Sequence, residues 1–254
     1  SAGLREGLAR DGLFIGVGGG ALCDVAAFAA SIYMRGCRVS LVPTTLLSMV
    51  DAAVGGKTAI DLEGAKNLLG SFYPAETVLI DLHVLETLPD REYRSGLVEG
   101  IKHALLGDPE LLEMFRDRRE AVRKRDPACV ERIIRGSIRV KGDIVERDLR
   151  ESGVRAHLNL GHTFGHALES TKGFGVLTHG EAVAWGIAKG MELGVELGIT
   201  NPDYAEECRR LLVSYEYPVE GVEADACELL RFMRADKKRR SGVIRCALQG
   251  GPGQ

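Results

Sequence analysis

The stretch that most restricts what this chain can fold into runs from Leu13 to Met34. Leu13-Phe14-Ile15-Gly16-Val17 is a short apolar run leading straight into Gly18-Gly19-Gly20, and Ala21 to Met34 follows with Val25, Phe28, Ala29 and Ile32 at helical spacing. A buried strand, a glycine turn and a small-residue helix in succession open an α/β unit. The same order makes a phosphate cradle, because bare backbone N–H groups approach a pyrophosphate and the helix N-terminus favours its charge. A tight structural turn is spelled the same way, so Gly18, Gly19 and Gly20 are candidates only. Asp24 lies one turn into the helix, where it would repel phosphate and better suits a ribose hydroxyl or a nicotinamide amide.

Further along, Arg38 to Pro43 predicts a second strand, with the hydroxyls of Thr44 and Thr45 at its carboxyl end. In open α/β sheets that end is where ligands sit. Gly55-Gly56-Lys57-Thr58 resembles the tail of a nucleoside-triphosphate loop, but none of Met49 to Ala52 is the glycine that G-x-x-x-x-G-K-[ST] requires. That reading is rejected. Lys57, Lys66 and Asn67 among glycines still suit a phosphorylated, polyhydroxylated ligand. Val78 to Asp81 predicts another strand, and Ser1 to Asp11 reads as the end of a helix stopped by Gly12.

From Leu88-Pro89 onward the texture is helical, which predicts a partial α/β nucleotide-binding domain over 1–88 and an all-helical domain over 89–254. Tyr93 to Leu106 predicts a helix with Glu99 and Lys102 on one face. Asp108-Pro109 and Asp126-Pro127 read as N-cap-then-proline helix starts. Lys141 falls inside the stripe Val130, Ile133, Ile134, Ile138, Ile144 and Val145; such a lysine either meets a charge or ligand or snorkels to the rim. Glu181 to Leu197 is rich in Ala, Gly and Met and predicts a closely packed helix; Cys208–Val213 and Cys227–Met233 continue helical. The run Lys237-Lys238-Arg239-Arg240 reads as a solvated face, and Val243 to Leu248 as a last strand.

Composition excludes several classes. The net charge is −3 with signs interspersed, which gives no nucleic-acid or membrane surface. The six cysteines show no C-x-x-C spacing, which suits a reducing compartment better than a disulfide framework or a zinc ribbon. No signal peptide and no spanning apolar run is read, so a cytoplasmic location is expected.

Three of the six histidines lie between positions 157 and 166. In a helix, His162, His166 and Glu169 fall at i, i+4 and i+7 on one face, and His179 follows a short glycine-rich turn. Imidazoles and carboxylates so placed are candidate ligands for a divalent metal.

Taken together the motifs resemble the 3-dehydroquinate synthase family of sugar phosphate cyclases. The matching pieces are Gly18-Gly19-Gly20 with Asp24, Tyr33-Met34-Arg35-Gly36, Val42 to Leu47, Val50-Asp51 through Thr58, Lys66-Asn67-Leu68, Gly96 to Lys102, Asn159 to Glu169, and Thr178-His179-Gly180-Glu181. The resemblance implies an α/β NAD-binding domain followed by an all-helical metal and substrate domain, with the active site in the cleft between. It implies conversion of the sugar acid phosphate DAHP to 3-dehydroquinate with NAD⁺ and a divalent metal, Zn²⁺ or Co²⁺. Transient oxidation, phosphate elimination, reduction and intramolecular aldol closure would follow in that order.

Carried over by motif, the metal ligands would be Glu99, His162 and His179, which leaves His166 for proton transfer or hydrogen bonding. NAD⁺ would use Gly18, Gly19, Gly20, Asp24, Thr44, Thr45, Lys66 and Thr87. Asp51, Lys57, Asn67, Arg155, Asn159 and Lys237 would hold the substrate, with Lys102, Lys141 and Glu151 contributing to catalysis. Arg35 would reach the substrate phosphate of a neighbouring subunit in a homodimer. The chain begins just before the glycine strand, inside the family's nucleotide-binding domain, so an N-terminally truncated chain with weakened NAD⁺ binding is expected. Val98 and Gly100 also depart from the family's usual alanine and bulkier aliphatic. A sibling cyclase acting on a sedoheptulose or glucose phosphate, and a metal-dependent polyol dehydrogenase, are the alternatives.

Overall fold

Leu13 and Arg38 begin two strands, β1 (Leu13–Gly18) and β2 (Arg38–Pro43), that pair in parallel from Leu13↔Arg38 to Gly18↔Pro43. The computed structural model describes residue 5 and residues 7–62, 65–173, 175–237 and 243–253. Helix α1 (Gly20–Ile32) crosses back over the strands, burying Cys23, Ala27 and Ala30 against Val39 and Leu41. Small residues on that stripe let helix and sheet approach closely. Leu13, Ile15 and Val17, alternating with the residues facing α1, remain exposed on the other side. A 3₁₀ turn at Tyr33–Arg35 closes α1, and Met34, Arg35 and Gly36 reverse the chain with φ of 47°, 67° and 121°.

The third parallel strand is shorter than the run Val78–Asp81 predicts. From this run and the residue before it, only Thr77–Val78, as β5, joins the free edge of β2, and Leu79 adds one bond from its N–H to Leu41 O (2.8 Å). Between β2 and β5 the chain makes a π-helical turn at Ser48–Ala52 and an antiparallel hairpin, β3 (Lys57–Leu62) with β4 (Ala65–Phe72). The sequence gives no clean alternation there, because glycines and charges interrupt the period and a register shift falls between Ile60 and Leu62.

Helix α2 (Asp90–Gly107) is the axis of the helical part, and residues 95–105 of it are all buried. Leu97, Val98, Ile101 and Leu105 pack with Leu46, Met49 and Val50 of the π-turn segment and with Ile133 and Ile134 of α5 (Pro127–Arg147). Each such side chain contributes about 1.5–3 kcal/mol of transfer free energy. The short helices α3 (Pro109–Asp117) and α4 (Arg119–Arg123) separate α2 from α5. Both Asp-Pro starts behave as expected: Asp108 accepts from Leu111 N–H (3.1 Å) and Asp126 from Cys129 N–H (3.0 Å).

The histidine stretch forms α6 (His162–Lys172), and α7 (His179–Glu196) lies against it. A Cβ on Gly186 would sit 1.9 Å from Gly161 O and 2.8 Å from Gly165 N, so the two helices meet backbone to backbone. Helices α8 (Pro202–Ser214) and α9 (Ala226–Lys237) complete the body. Two expectations need correction or restriction. Residues 243–249 form no strand; this extended segment is instead tied down by Thr200 Oγ1 to Gln249 O (2.6 Å) and Gln249 Nε2 to Leu105 O (2.6 Å). An apolar run has no ladder to join when its neighbours are helices. The helix end expected over Ser1–Asp11 falls partly outside the described residues, and residues 7–11 are turns and irregular backbone.

Candidate metal and substrate site

Glu99 is carried into the middle of the helical body by α2, fully buried, with Lys102 one turn on as its ion-pair partner. His162 is the first residue of α6, placed there by Gly161, whose φ of 78° is the left-handed conformation that a glycine N-cap adopts freely. Its Nδ1 lies 3.2 Å from Leu160 O, so its Nε2 turns inward to 3.5 Å from Glu99 Oε1. His179 is the first residue of α7. Its turn is locked by a capping box in which Thr178 Oγ1 accepts from Glu181 N–H (3.1 Å) and Glu181 Oε2 accepts from Thr178 N–H (2.7 Å). Arg91 donates to the same Glu181 oxygen (3.0 Å) and to Val176 O (2.9 Å). His179 Nε2 also lies 3.5 Å from Glu99 Oε1, while its Nδ1 faces Glu169 Oε1 at 4.0 Å.

The three donor atoms lie within 4.8 Å of one another. Tetrahedral ligands about 2.0–2.1 Å from a zinc ion stand about 3.3 Å apart, so the 3.5 Å separations fit one. Both Glu99 oxygens are buried without a hydrogen-bond partner among the described residues, as an ion-binding carboxylate would be. Burial pushes the Glu99 carboxyl up, but Lys102, His162 and His179 outweigh it and hold it well below the usual range. Burial, aided by Lys102, pushes His162 down to about 3. At His179 burial is overcome by Glu169 and Glu99, which raise it to about 9. His166, Glu169 and His179 form a second possible donor set, more exposed than the first. The His166 ring centroid lies 5.3 Å from that of His162 and 6.1 Å from that of His179.

A polar cluster adjoins the metal set through Asp51, which together with Glu99 and His103 offers atoms within 4.8 Å of one another. The π-helical turn points Asp51 at α5, where Lys141 Nζ donates to both its carbonyl and its carboxylate at 2.6 Å. Lys141 is therefore a buried, paired lysine rather than a snorkelling one. Burial pushes Asp51 up, yet Lys141 holds it below the carboxylate range; burial in turn pulls Lys141 down. Glu151, at φ 55°, pairs with Lys57 and accepts from Asn159 Nδ2 (2.5 Å). Arg155 is 2% exposed, donating to Leu149 O (2.6 Å) and Gly55 O (2.9 Å), with Nε unpartnered among the described residues.

At the glycine turn, Gly19 caps α1, and Thr44 N–H bonds Gly18 O (2.9 Å) so that β2 ends beside it. Thr45 is tied to Ser48 through their hydroxyls (2.9 Å). Asp24 is half-buried, and burial with help from Asp51 pushes its carboxyl up to about 7. Other expected residues are not drawn in. Arg35, Asn67 and Thr87 are exposed, and among the described residues none bonds to either cluster. The side chains of Lys66 and Lys237 lie outside the described residues, as does the rest of the Lys237–Arg240 run. Sequence reading missed Ser95, His103, and the role of Glu169 behind His179. The spacing Ser95, Glu99, His103 on one helical face was the available signal.

Residues 1–95 match the family profile described as 3-dehydroquinate synthase N-terminal, and residues 96–239 match 3-dehydroquinate synthase C-terminal. The chain belongs to the 3-dehydroquinate synthase family. A 3-dehydroquinate synthase of Acidithiobacillus ferrooxidans is 41% identical over 250 residues, covering 98% of this chain and 69% of the relative. That of Xanthomonas oryzae pv. oryzae is 44% identical over 256 residues, with the same coverage. Among solved structures, 2-epi-5-epi-valiolone synthase from Streptomyces hygroscopicus, with NAD⁺ and Zn²⁺ bound, aligns with a TM-score of 0.89 at 29% identity over 100% of this chain and 71% of its own. A 2-deoxy-scyllo-inosose synthase complexed with carbaglucose-6-phosphate, NAD⁺ and Co²⁺ gives 0.87 at 26%, over 100% and 70%. Membership of the 3-dehydroquinate synthase family makes the chain an enzyme of the sugar phosphate cyclase type, with a Rossmann-like part and a helical part. No described helix is long and apolar enough to cross a membrane.

Proposed function

We propose that this chain acts as a 3-dehydroquinate synthase, a phosphate-eliminating carbon–oxygen lyase that closes DAHP into 3-dehydroquinate. The observation that carries this reading is the convergence of Glu99, His162 and His179 from three separate helices, beside a cluster of paired lysines. The identity to curated synthases, 41–44%, exceeds that to the sibling cyclases, 26–29%.

Glu99, His162 and His179 would hold Zn²⁺ or Co²⁺, and the glycine turn with Asp24, Thr44, Thr45, Lys66 and Thr87 would hold NAD⁺. When bound, the metal supplies charge stabilisation at a substrate oxygen and NAD⁺ supplies a reversible hydride acceptor. The chain's own residues orient the substrate. Asp51, fixed by Lys141, accepts from a substrate hydroxyl. Lys57, Asn67, Arg155, Asn159 and Lys237 meet its carboxylate and phosphate, and Arg35 meets the phosphate bound to a neighbouring subunit. Lys102 offsets negative charge beside Glu99. His166 and Glu151 would move protons. The Glu99–His162–His179 set is preferred over His166–Glu169–His179 because its carboxylate is the fully buried one and its Oε1 stands 3.5 Å from both imidazoles. A domain division near residue 88, a homodimer, a cytoplasmic location and a place in aromatic amino acid biosynthesis through the shikimate pathway belong to the same proposal.

The test is release of inorganic phosphate from DAHP in the presence of saturating NAD⁺ and Zn²⁺. Release from a sedoheptulose phosphate but not from DAHP would reassign the chain to a sibling cyclase. Sustained NADH formation from a polyol would reassign it to a dehydrogenase.

A further inference from the structure

His103 is unused by the proposed chemistry, and its surroundings are unusual. Its side chain is fully buried, yet neither ring nitrogen has a hydrogen-bond partner among the described residues. Leaving a buried imidazole that way costs stability, so a fold keeps one only for a reason. It stands one helical turn beyond Glu99 on α2, so the two side chains share a face. On the other side is Asp51 from the π-helical turn: one atom each of His103, Asp51 and Glu99 lie within 4.8 Å of one another. The His103 nitrogens make no direct hydrogen bond to either carboxylate, and atoms this close are within reach of a single bridging water, since two hydrogen bonds of about 2.8 Å meeting at one water span about 4.6 Å.

The same three residues could be read as a second cation site. That reading is weaker, because in the proposed site Glu99 already serves the His162–His179 set, and Asp51 is paired at 2.6 Å with Lys141, which leaves no free carboxylate for a second ion. A neutral imidazole suits the place: it offers one donor and one acceptor and adds no net charge. We propose that His103 is a positioning residue, whose ring links the Asp51 carboxylate on the substrate side to the Glu99 carboxylate on the metal side through bridging water. Apart from its ion pair with Lys102 at Oε2, the Glu99 carboxylate has no protein hydrogen bond among the described residues to fix its tilt. Such outer partners orient a ligand before the ion arrives, and losing one typically weakens metal binding about 10–100-fold.

This inference rests on Glu99 being a metal ligand, as proposed above, but not on the substrate. Zinc affinity is therefore measured directly, on the whole chain, by competition with a chromophoric chelator, alongside thermal melts. His103→Phe keeps the ring and removes both nitrogens; His103→Asn keeps one donor and one acceptor; His103→Leu guards against overpacking by the phenyl ring. The expected result is a zinc affinity about tenfold weaker in His103→Phe and His103→Leu, with His103→Asn recovering most of it. Unchanged affinity in the apolar variants, or no recovery in His103→Asn, would overturn the proposal. Loss of the fold in all three, with zinc present, would also overturn it, since that marks a purely structural residue. Failure to release phosphate from DAHP would leave these zinc results standing and count only against the proposed reaction.

Discussion

Gly180→Ala would separate His179 from Glu99 without touching either. A Cβ built on Gly180 lies 2.5 Å from both Ser95 Cα and Ser95 O, and Gly180 N–H donates to Ser95 Oγ at 3.0 Å. These contacts are with the backbone of α2, one turn before Glu99, so no flexible side chain can move aside. Reaching ordinary contact near 3.5 Å requires the start of α7 to lift by about 1 Å. His179 precedes Gly180 and moves with it, while a zinc site tolerates about 0.2 Å in its ligand distances. Overpacking costs about 1–3 kcal/mol and the lost bond to Ser95 about 1 kcal/mol more, about 2–4 kcal/mol in all. Zinc affinity should fall about 10–100-fold. Chelator competition and urea unfolding, each with and without zinc, read both quantities. Gly142→Ala is the control: it lies in the interior of α5 with nothing within 4 Å of its added Cβ, and should stabilise by about 0.5–1 kcal/mol. If Gly180→Ala binds zinc and unfolds like the parent, the docking of α7 on α2 does not set the metal geometry.

The two candidate donor sets differ at His162 and His166. His162→Ala should lose zinc by more than about a hundredfold, whereas His166→Ala should keep it within a few-fold and lose about 10²–10⁴ in kcat; the opposite pattern of zinc titrations would exchange their roles. Asp108 caps α3 and accepts from Arg132 (2.7 and 2.9 Å) and Arg139 (2.9 Å) with its side chain 1% exposed, so Asp108→Ala should cost about 3 kcal/mol in urea unfolding. Burial pushes the Asp108 carboxyl up, but Arg132, the Leu111 N–H and Arg139 win and hold it below the usual range. Its stabilisation is thus present above the unfolded value, about 3.9, and is lost as pH falls through the folded one; a variant equally acid-sensitive would refute this. Lys141→Met leaves the half-buried Asp51 without its cation and should cost about 1–3 kcal/mol, most of it recovered by adding Asp51→Asn in a double-mutant cycle.

Local signals were legible where a single element explains them. The glycine turn, strand β2, both Asp-Pro helix starts and the close α6–α7 packing are each dictated by neighbours in sequence. The hairpin β3–β4 was not, because its pairing depends on a register shift and on the tertiary support of a strand rich in polar residues. Residues 243–249 misled for the opposite reason, since an apolar segment without a strand beside it packs as coil. Within the site, the i, i+4 pair His162 and His166 suggested that both bind one ion. Only tertiary placement brings Glu99 and His179 to His162, from 63 positions before and 17 after it. Lys141 was readable as an anomaly on an apolar stripe, but its partner Asp51, 90 residues earlier, was not.

Lys57, Lys102 and Lys141 are each matched to a carboxylate at the site, and exposure separates what each pair can do. Lys102–Glu99 is buried on both sides, and in Lys141–Asp51 the lysine is buried (7% exposed) with Asp51 half-buried beside it, whereas Lys57 in the Lys57–Glu151 pair is 48% exposed. Breaking a buried pair leaves an uncompensated charge at about 3–5 kcal/mol; an exposed pair yields for about 1 kcal/mol or less. On the proposed function, a phosphorylated acid would recruit Lys57 more readily than it would draw Lys141 away from Asp51. Glu151 would still be held by Asn159 when Lys57 turns away, so its carboxylate stays in place with one partner fewer and becomes the stronger base. On that function, the Lys102–Glu99 and Lys141–Asp51 pairs keep the geometry constant through the reaction. The exposed pair is where binding of an anionic substrate and activation of a proton acceptor become the same event.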